Sequence, residues 1–259
     1  LLLVIWLRHG EITWRDVSLV IPFIFLGLAM GFLAMWWERY HQGTQGGEFS
    51  FSIVERLLIA SRSIWFYPSK LLFPTNLTFS YPKWEIDPGS ILQYSWLFGV
   101  SLAAVALLHF KHILGRGFFV AVAFYVANLL PMLGFIALYT FKYTFVADHY
   151  QYIASIGLLA LFAAIVTKIF DGVGVGIRLS VSFVILIFLG ILTWQQGRIY
   201  KDAETLWRDT LVKNPSSWMA HNNLANVSAK NGRFDEAIPH YYETLRIKPG
   251  FAEAHFNLG

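Results

Sequence analysis

The sequence predicts an all-α chain in two parts: a polytopic transmembrane helix bundle over residues 1–199 and the start of an α-solenoid over residues 200–259. Three observations carry this. The composition is 56% hydrophobic and only 14% charged, whereas soluble domains hold roughly a quarter charged residues. Five long apolar segments contain no charged residue. Near the C-terminal end a 34-residue interval recurs between matching residues.

Crossing the ~30 Å hydrocarbon layer takes about 20 apolar residues at about 1.5 Å each. Segments 17–37, 91–110, 117–141, 151–167 and 179–197 meet that requirement, and residues 1–7 read as the end of an earlier span. Buried helices of a soluble core are the competing reading. So many uncharged runs, separated by polar breaks, argue against it. If the spans alternate, the short connections 8–16, 111–116 and 168–178 share one side and carry Arg8, Arg15, Lys111, Arg116, Lys168 and Arg178. The opposite side carries as many Lys and Arg, spread over the much longer stretches 38–90 and 142–150. The positive-inside rule therefore puts the short loops in the cytoplasm, and the extracytoplasmic or lumenal loop 38–90 opposite them with the solenoid. Trp36, Trp37, Tyr40, Tyr81, Trp84, Tyr143, Tyr150 and Tyr152 fall near that outer boundary, as an aromatic belt does.

Loop 38–90 has structure of its own. Over residues 51–72, Ile53, Val54, Leu57, Leu58, Ser61, Ile64, Trp65, Leu71 and Leu72 take about half of a helical wheel. Ser52, Glu55, Arg56, Arg62, Ser63, Tyr67, Ser69 and Lys70 take most of the other half. This pattern predicts an amphipathic helix lying in the membrane interface, bent or ended by Pro68. Residues 76–81 alternate polar and apolar, which predicts a short extended piece. Asp87-Pro88 then reads as a helix N-cap with proline in the first position of the following span.

Beyond residue 197 the chain turns charged and polar. Pro215 is answered by Pro249, and the same interval pairs Ala220 with Ala254, His221 with His255, Asn223 with Asn257 and Leu224 with Leu258. This is the spacing of tetratricopeptide repeats. Helices are predicted over 202–212, 217–230 and 234–247, with Asn231-Gly232 as the turn within a unit and Asn214-Pro215 and Lys248-Pro249 as the breaks between units. Ala203 and Ala237 sit at equivalent close-approach positions, and Trp207 and Tyr241 at equivalent bulky ones. About one and a half units cannot bury their own faces, so further repeats are expected to follow. Leu1 lies inside an apolar run without a preceding Met or basic segment, so the chain is expected to be an internal part of a longer protein.

Charge narrows the partners. Of 20 Lys+Arg and 16 Asp+Glu, seven of each lie in the last 59 residues, so the whole +4 belongs to the first 200. No basic stripe interleaved with aromatic residues is present, which argues against nucleic acid and for membrane topology as the origin of the excess. Cysteine is absent, excluding disulfides, thiolate catalysis and Cys-based metal sites in this stretch. No nucleotide-binding, serine-hydrolase or zinc-protease signature appears. His109 and His112 have helical spacing but no further ligand, and read as a polar helix end rather than a metal site. Asn128 and Pro131 read as packing and kink. Asn76 and Asn226 begin glycosylation sequons, which function as acceptors only in a eukaryotic lumen.

The outer side concentrates the candidates for chemistry. Arg56, Arg62 and Lys70 share the polar face of the interfacial helix and are candidates to contact a donor phosphate, because a phosphate at the interface needs cations that do not themselves require burial. Snorkelling toward anionic headgroups is the plainer alternative. Glu85 and Asp87 form a carboxylate pair that can orient an acceptor hydroxyl or hold a divalent cation, although Asp87 has its capping role and Glu85 also reads as a solvated loop acid. Asp148, His149, Tyr150 and Tyr152 stand at the mouth of a span near Lys142, where an imidazole steadied by Asp148 can accept a proton or face a phosphate. Asp148 as an N-cap and the tyrosines as belt residues are the structural alternative.

These parts, in this order, resemble a known family. FYPSKLLFPTNLTFSYPKWEIDP from Phe66, YTFVADHYQYIASIG from Tyr143 and KDAETLWRDTLVKNPSSWMAHNNLA from Lys201 resemble the membrane proteins that join a polytopic domain to tetratricopeptide repeats. That group includes bacterial members and the animal transmembrane and tetratricopeptide-repeat-containing O-mannosyltransferases. The resemblance implies a GT-C-like bundle, here partial, a polyprenyl-phosphate sugar as donor, and transfer on the periplasmic or lumenal face of a bacterial inner membrane or an ER-type membrane. It also implies repeats that present a protein or peptide acceptor. No resident cofactor is implied beyond the lipid-linked donor and, at most, a divalent cation. The acidic catalytic motif of such proteins normally lies in the first extracytoplasmic loop and is expected upstream of Leu1, so no catalytic base is carried over to Glu85 or Asp148. The repeat departs from the usual pattern with His221 in place of Trp, Ala225 in place of Gly and Ser228 in place of Tyr. The alternative reading is a non-enzymatic membrane-anchored scaffold whose repeats bind partner proteins. A transporter is disfavoured, since no ionisable Asp, Glu, Lys or Arg lies inside a span.

Overall fold

A computed structural model describes residues 1–44 and 46–259. It is all-helical, with no strand among the described residues. The chain forms two compact units: Leu1–Phe73 with Trp84–Ile169, and Pro74–Lys83 with Phe170–Gly259. The repeats thus share a unit with the last apolar helix and with a piece of the long loop, so the boundary expected at 199/200 does not coincide with a change of unit.

The first unit begins with α1 (Leu2–His9) and α2 (Trp14–Tyr40). Thr13 and Asp16 form a capping box that starts α2 before the expected residue 17. Val20 is the one buried residue of α2; such outward apolar surface suits lipid rather than water. After a 3-10 turn at Ile91–Gln93 comes α4 (Tyr94–His109), and then α5 (Lys111–Leu129), whose backbone breaks at Gly115 (φ 72°, ψ 166°). The span expected over 117–141 is corrected at both ends. The helix starts at Lys111, passes into a 3-10 turn at Leu130–Met132 and stops there, because Pro131 has no N–H to continue the ladder. Short 3-10 turns at Tyr139–Lys142 and Asp148–Gln151 lead to α6 (Ser155–Ile169). A Cβ on Gly157 would lie 2.5 Å from the Ala121 carbonyl oxygen, so the missing side chain is what lets α6 cross α5 backbone to backbone.

Both expected aspartate caps are corrected. Asp87 accepts from the Gly89 backbone N–H at 2.8 Å, while the Gln93 amide bonds the Asp87 N–H and the Glu85 carbonyl. A local side-chain turn thus replaces the cap, and helical geometry begins only after Ser90. Asp148 opens a 3-10 turn, with α6 starting later at Ser155.

The amphipathic segment is α3 (Ile53–Leu72), started by a Ser52–Glu55 capping box. It runs through Pro68 instead of ending there. Proline removes the bond that would reach the Ile64 carbonyl, and the Tyr125 hydroxyl donates to that same carbonyl at 2.8 Å. Burial does not follow the wheel. Ser63 and Tyr67, from the polar half, are fully buried, while Ile53 and Leu72 are 79% and 63% exposed. Helix α3 packs on α4 and α6 and contributes Ile59 to a core with Phe49, Phe141 and Phe145, which its expected surface position did not require.

In the second unit α7 (Val175–Arg198) has no buried residue. The solenoid follows as α8 (Ala203–Lys213), α9 (Trp218–Lys230), α10 (Phe234–Ile247) and α11 (Ala252–Leu258). Asp202 and Ser217 cap α8 and α9. Ala225, Ala237, Tyr241 and Ala254 form its core. The unusual His221 has a structural task that recurs at the repeat interval: its Nε2 lies 3.0 Å from the Pro215 carbonyl, and His255 Nε2 lies 2.8 Å from that of Pro249. Glu204, Arg208, Arg233 and Glu236 make an exposed ionic cluster joining α8 to α10.

Pro74–Lys83 lies against the solenoid as a strap. Lys213 Nζ donates to the Leu77 carbonyl at 2.7 Å while paired with Asp209, Asn214 donates to the Ser80 carbonyl at 3.1 Å, and Gln196 reaches the Leu77 carbonyl at 3.4 Å. The Phe79 ring meets Trp207 edge-on with centres 5.2 Å apart. Burial does not follow the expected alternation: Thr78 and Ser80 are turned in with Tyr81, and Phe79 is 39% exposed, since the solenoid takes hold of the backbone as well as an apolar edge.

Candidate functional site

Arg62, Phe66 and Lys70 follow one another at four-residue steps, which aligns them on one face of α3. Trp84 closes over this face. Its ring centre is 4.3 Å from the Arg62 guanidinium carbon and 6.0 Å from the Phe66 ring centre, and Lys70 Nζ lies 5.7 Å from the Phe66 centre. Trp84 is backed in turn by Phe145 at 6.1 Å. The result is a row of two half-buried cations lined by two aromatic rings, a setting in which ring faces replace part of the lost hydration.

Burial lowers the pKa of the Arg62 guanidinium from its ordinary value. Burial also lowers that of Lys70, with the negative charge of Asp148 acting the other way. Asp148 therefore stands within electrostatic reach of Lys70, and also of Tyr67. The buried Tyr67 phenol faces the Ala147 backbone, and burial pushes its pKa well above the usual phenol range. Tyr150 is shifted upward by burial, with help from the charge of Glu38 and against the nearby Thr140 hydroxyl. Both phenols stay neutral donors at physiological pH. Two partly desolvated cations on one helix face, one of them with an acid in electrostatic reach, suit an oxyanion such as phosphate.

Of the residues singled out from sequence, Arg62 and Lys70 share one face of α3, two turns apart, and Asp148 stands within electrostatic reach of Lys70. Arg56 lies elsewhere, donating to the carbonyls of Phe51 at 3.1 Å, Gly134 at 2.7 Å and Phe135 at 3.0 Å, so its guanidinium clamps a loop. Lys142 sits over the Tyr139 and Tyr143 rings at 5.1 and 5.6 Å, and those hydroxyls are 3.1 Å apart. Glu85 has an exposed side chain. His149 is exposed and meets Tyr150 edge-on, with ring centres 4.7 Å apart. Among the described residues no group of three or more His, Asp or Glu converges as metal ligands.

Three contributors escaped the sequence reading. Trp84 reads as a belt residue and Tyr67 as part of a polar face. Glu38, at the end of α2, accepts from the Tyr139 N–H at 2.8 Å, and nothing in its neighbourhood in sequence marks that contact. The Asn226 sequon is also accounted for: its side chain accepts from Tyr241 and Asn257 and donates to Glu253, and Ser228 is fully buried.

Among the described residues four helices, Trp14–Tyr40, Ile91–His109, Lys111–Met132 and Val175–Arg198, are long and apolar enough to cross a membrane. Residues 189–252 match the tetratricopeptide repeat family. The chain is 27% identical over 231 residues to Protein O-mannosyl-transferase TMTC1 of Mus musculus, covering 82% of this chain and 23% of that protein. The chain resembles the TMTC proteins. Human TMTC1 is 26% identical over 79% of this chain and 24% of its own length. Tmtc2 of Drosophila melanogaster is 31% identical over 54% of this chain and 14% of its own. The chain thus spans about a quarter of the length of the TMTC1 relatives. No solved structure matches it.

Proposed function

We propose that this chain is part of an integral membrane glycosyltransferase that moves a sugar from a polyprenyl-phosphate donor to a protein acceptor on the extracytoplasmic face, with the repeats recruiting the acceptor. The observation that carries the reading is the Arg62–Lys70 face of α3 under Trp84. Its chemistry fits the phosphate of a lipid-linked donor: two cations on an interfacial helix, partly stripped of water, with aromatic rings alongside. Relatives named as protein O-mannosyl-transferases support the reaction class. The strap supports a shared face for loop and repeats, since segments joined by hydrogen bonds lie on one side of a bilayer. In this reading Arg62 and Lys70 contact the donor phosphate, and Asp148 orients Lys70. Arg56, Glu85, Lys142 and His149 hold or flank the surrounding loops. No residue of this stretch is assigned as the base.

The test uses the full-length protein in lipid nanodiscs with a polyprenyl-phosphate sugar and an acceptor peptide. Arg62→Ala is expected to weaken donor binding by about tenfold, the scale of one charge-assisted contact, with repeat folding unchanged by circular dichroism. Undiminished donor binding removes Arg62 from the site. Peptide binding without sugar transfer by the wild-type protein would favour a scaffold.

A further inference from the structure

The complete repeat holds two imidazoles against each other. His221 of α9 and His240 of α10 bring their Nδ1 atoms to 2.9 Å, with ring centres 5.2 Å apart. The other nitrogen of His221, Nε2, lies 3.0 Å from the Pro215 carbonyl oxygen. A carbonyl only accepts, so this nitrogen carries the proton, and in a neutral ring Nδ1 is then a bare acceptor. His240 must therefore donate from its own Nδ1. A proton added at His240 Nε2 leaves that bond in place. A further proton at His221 Nδ1 turns the contact into two N–H groups aimed at each other.

The surroundings offer little to offset a second charge. Arg208 of α8, His221 of α9, and Glu236 and Glu243 of α10 face His240, and Glu243 also lies near His221. Glu236 is tied to Arg208 and Arg233, and Glu243 to Arg246. On α11, Glu253 binds Asn222 and Asn226, and His255 bonds the Pro249 carbonyl. Burial first, and the neighbouring His221 second, push the His240 pKa below the ordinary imidazole value of 6.5. A lowered value means that the folded repeat binds fewer protons than the unfolded chain. Its stabilising contribution is therefore present above that ordinary value and declines as pH falls through it.

We propose that the His221–His240 pair is an acid-sensitive latch between α9 and α10, closed while at least one ring is neutral and opened when both are charged. It makes the grip of the repeats responsive to an acidified compartment, and it does not depend on whether the chain serves sugar transfer.

The experiment is hydrogen exchange of α9 and α10 amides in the full chain in nanodiscs, at about pH 7.5 and about pH 5, on either side of the imidazole range, corrected for the intrinsic pH dependence of exchange. Protection is expected to fall roughly tenfold at the acid pH, the order by which two like charges at this separation oppose closure in a strongly screening medium. His240→Asn should flatten that fall. His255→Asn should retain it, because the Pro249 bond of His255 is not part of the pair. Nitrogen-15 shifts of labelled histidines in the unmodified protein give a second readout that no misfolded variant can confuse: at neutral pH, His221 protonated on Nε2 and His240 on Nδ1. Protection that ignores pH, a fall that survives in His240→Asn, or the opposite tautomers would overturn the latch.

Discussion

At the residue scale, Pro68 and Tyr125 show how a sequence signal is cancelled from a distance. Proline inside a helix leaves the carbonyl four residues earlier without its donor, and the Tyr125 hydroxyl supplies one at 2.8 Å. Tyr125→Phe keeps the ring and removes the donor. It is expected to cost about 1–3 kcal/mol, the penalty of a buried acceptor left unmade, seen as a lower unfolding temperature of the detergent-solubilised protein. An unchanged midpoint would show that the Ile64 carbonyl needs no partner. The same logic separates what was legible in the candidate site from what was not. Helical periodicity puts Arg62 and Lys70 on one face whatever they touch. That Arg56 turns away to three carbonyls, and that Trp84 covers Arg62, depends on loops whose course no local period encodes.

At the element scale, the least expected feature is the strap. Residues 76–81, expected as a short extended piece, form neither helix nor strand, and the side of the segment that is buried, and what buries it, follow from Lys213, Asn214 and Trp207 more than a hundred residues away. Lys213→Ala combined with Asn214→Ala removes two backbone anchors, worth about 0.5–1.5 kcal/mol each. Limited proteolysis within Pro74–Lys83 should then accelerate by about tenfold, while circular dichroism of the repeats is preserved. Cleavage at the unmodified rate would mean that the strap is held by something else. The helices themselves were mostly legible, because capping residues, apolar runs and the repeat interval are local signals. Their ends were less so: Asp87 and Asp148 preferred tight turns to caps, and Pro131 ended α5 before the expected span was complete.

For the whole molecule, the strap constrains topology. If Pro74–Lys83 and α8 share a face, the chain between them crosses the membrane an even number of times. In the proposed topology α4, α5 and α7 are three crossings, and an even count requires a fourth from α6, although its 15 residues rise only about 22 Å. Such a crossing requires thinning of the bilayer around the short helix. This stretch holds no cysteine, so cysteines introduced into it test the topology in intact cells, with the unsubstituted protein as the labelling background. An impermeant thiol reagent should label Asn231→Cys and leave Lys111→Cys and Asp171→Cys untouched. Labelling of Asp171→Cys together with Asn231→Cys would show that α6 does not cross. What the sequence by itself determined is the division into lipid-soluble helices and a repeating solenoid, because hydrophobic runs, charge bias and a fixed interval act through local free energies of transfer and packing. Only the tertiary structure decided which cations meet an aromatic lid, which tyrosine completes a proline-broken helix and which loop the solenoid grips. Those outcomes rest on contacts between residues far apart in the chain, where geometry rather than composition selects the partner.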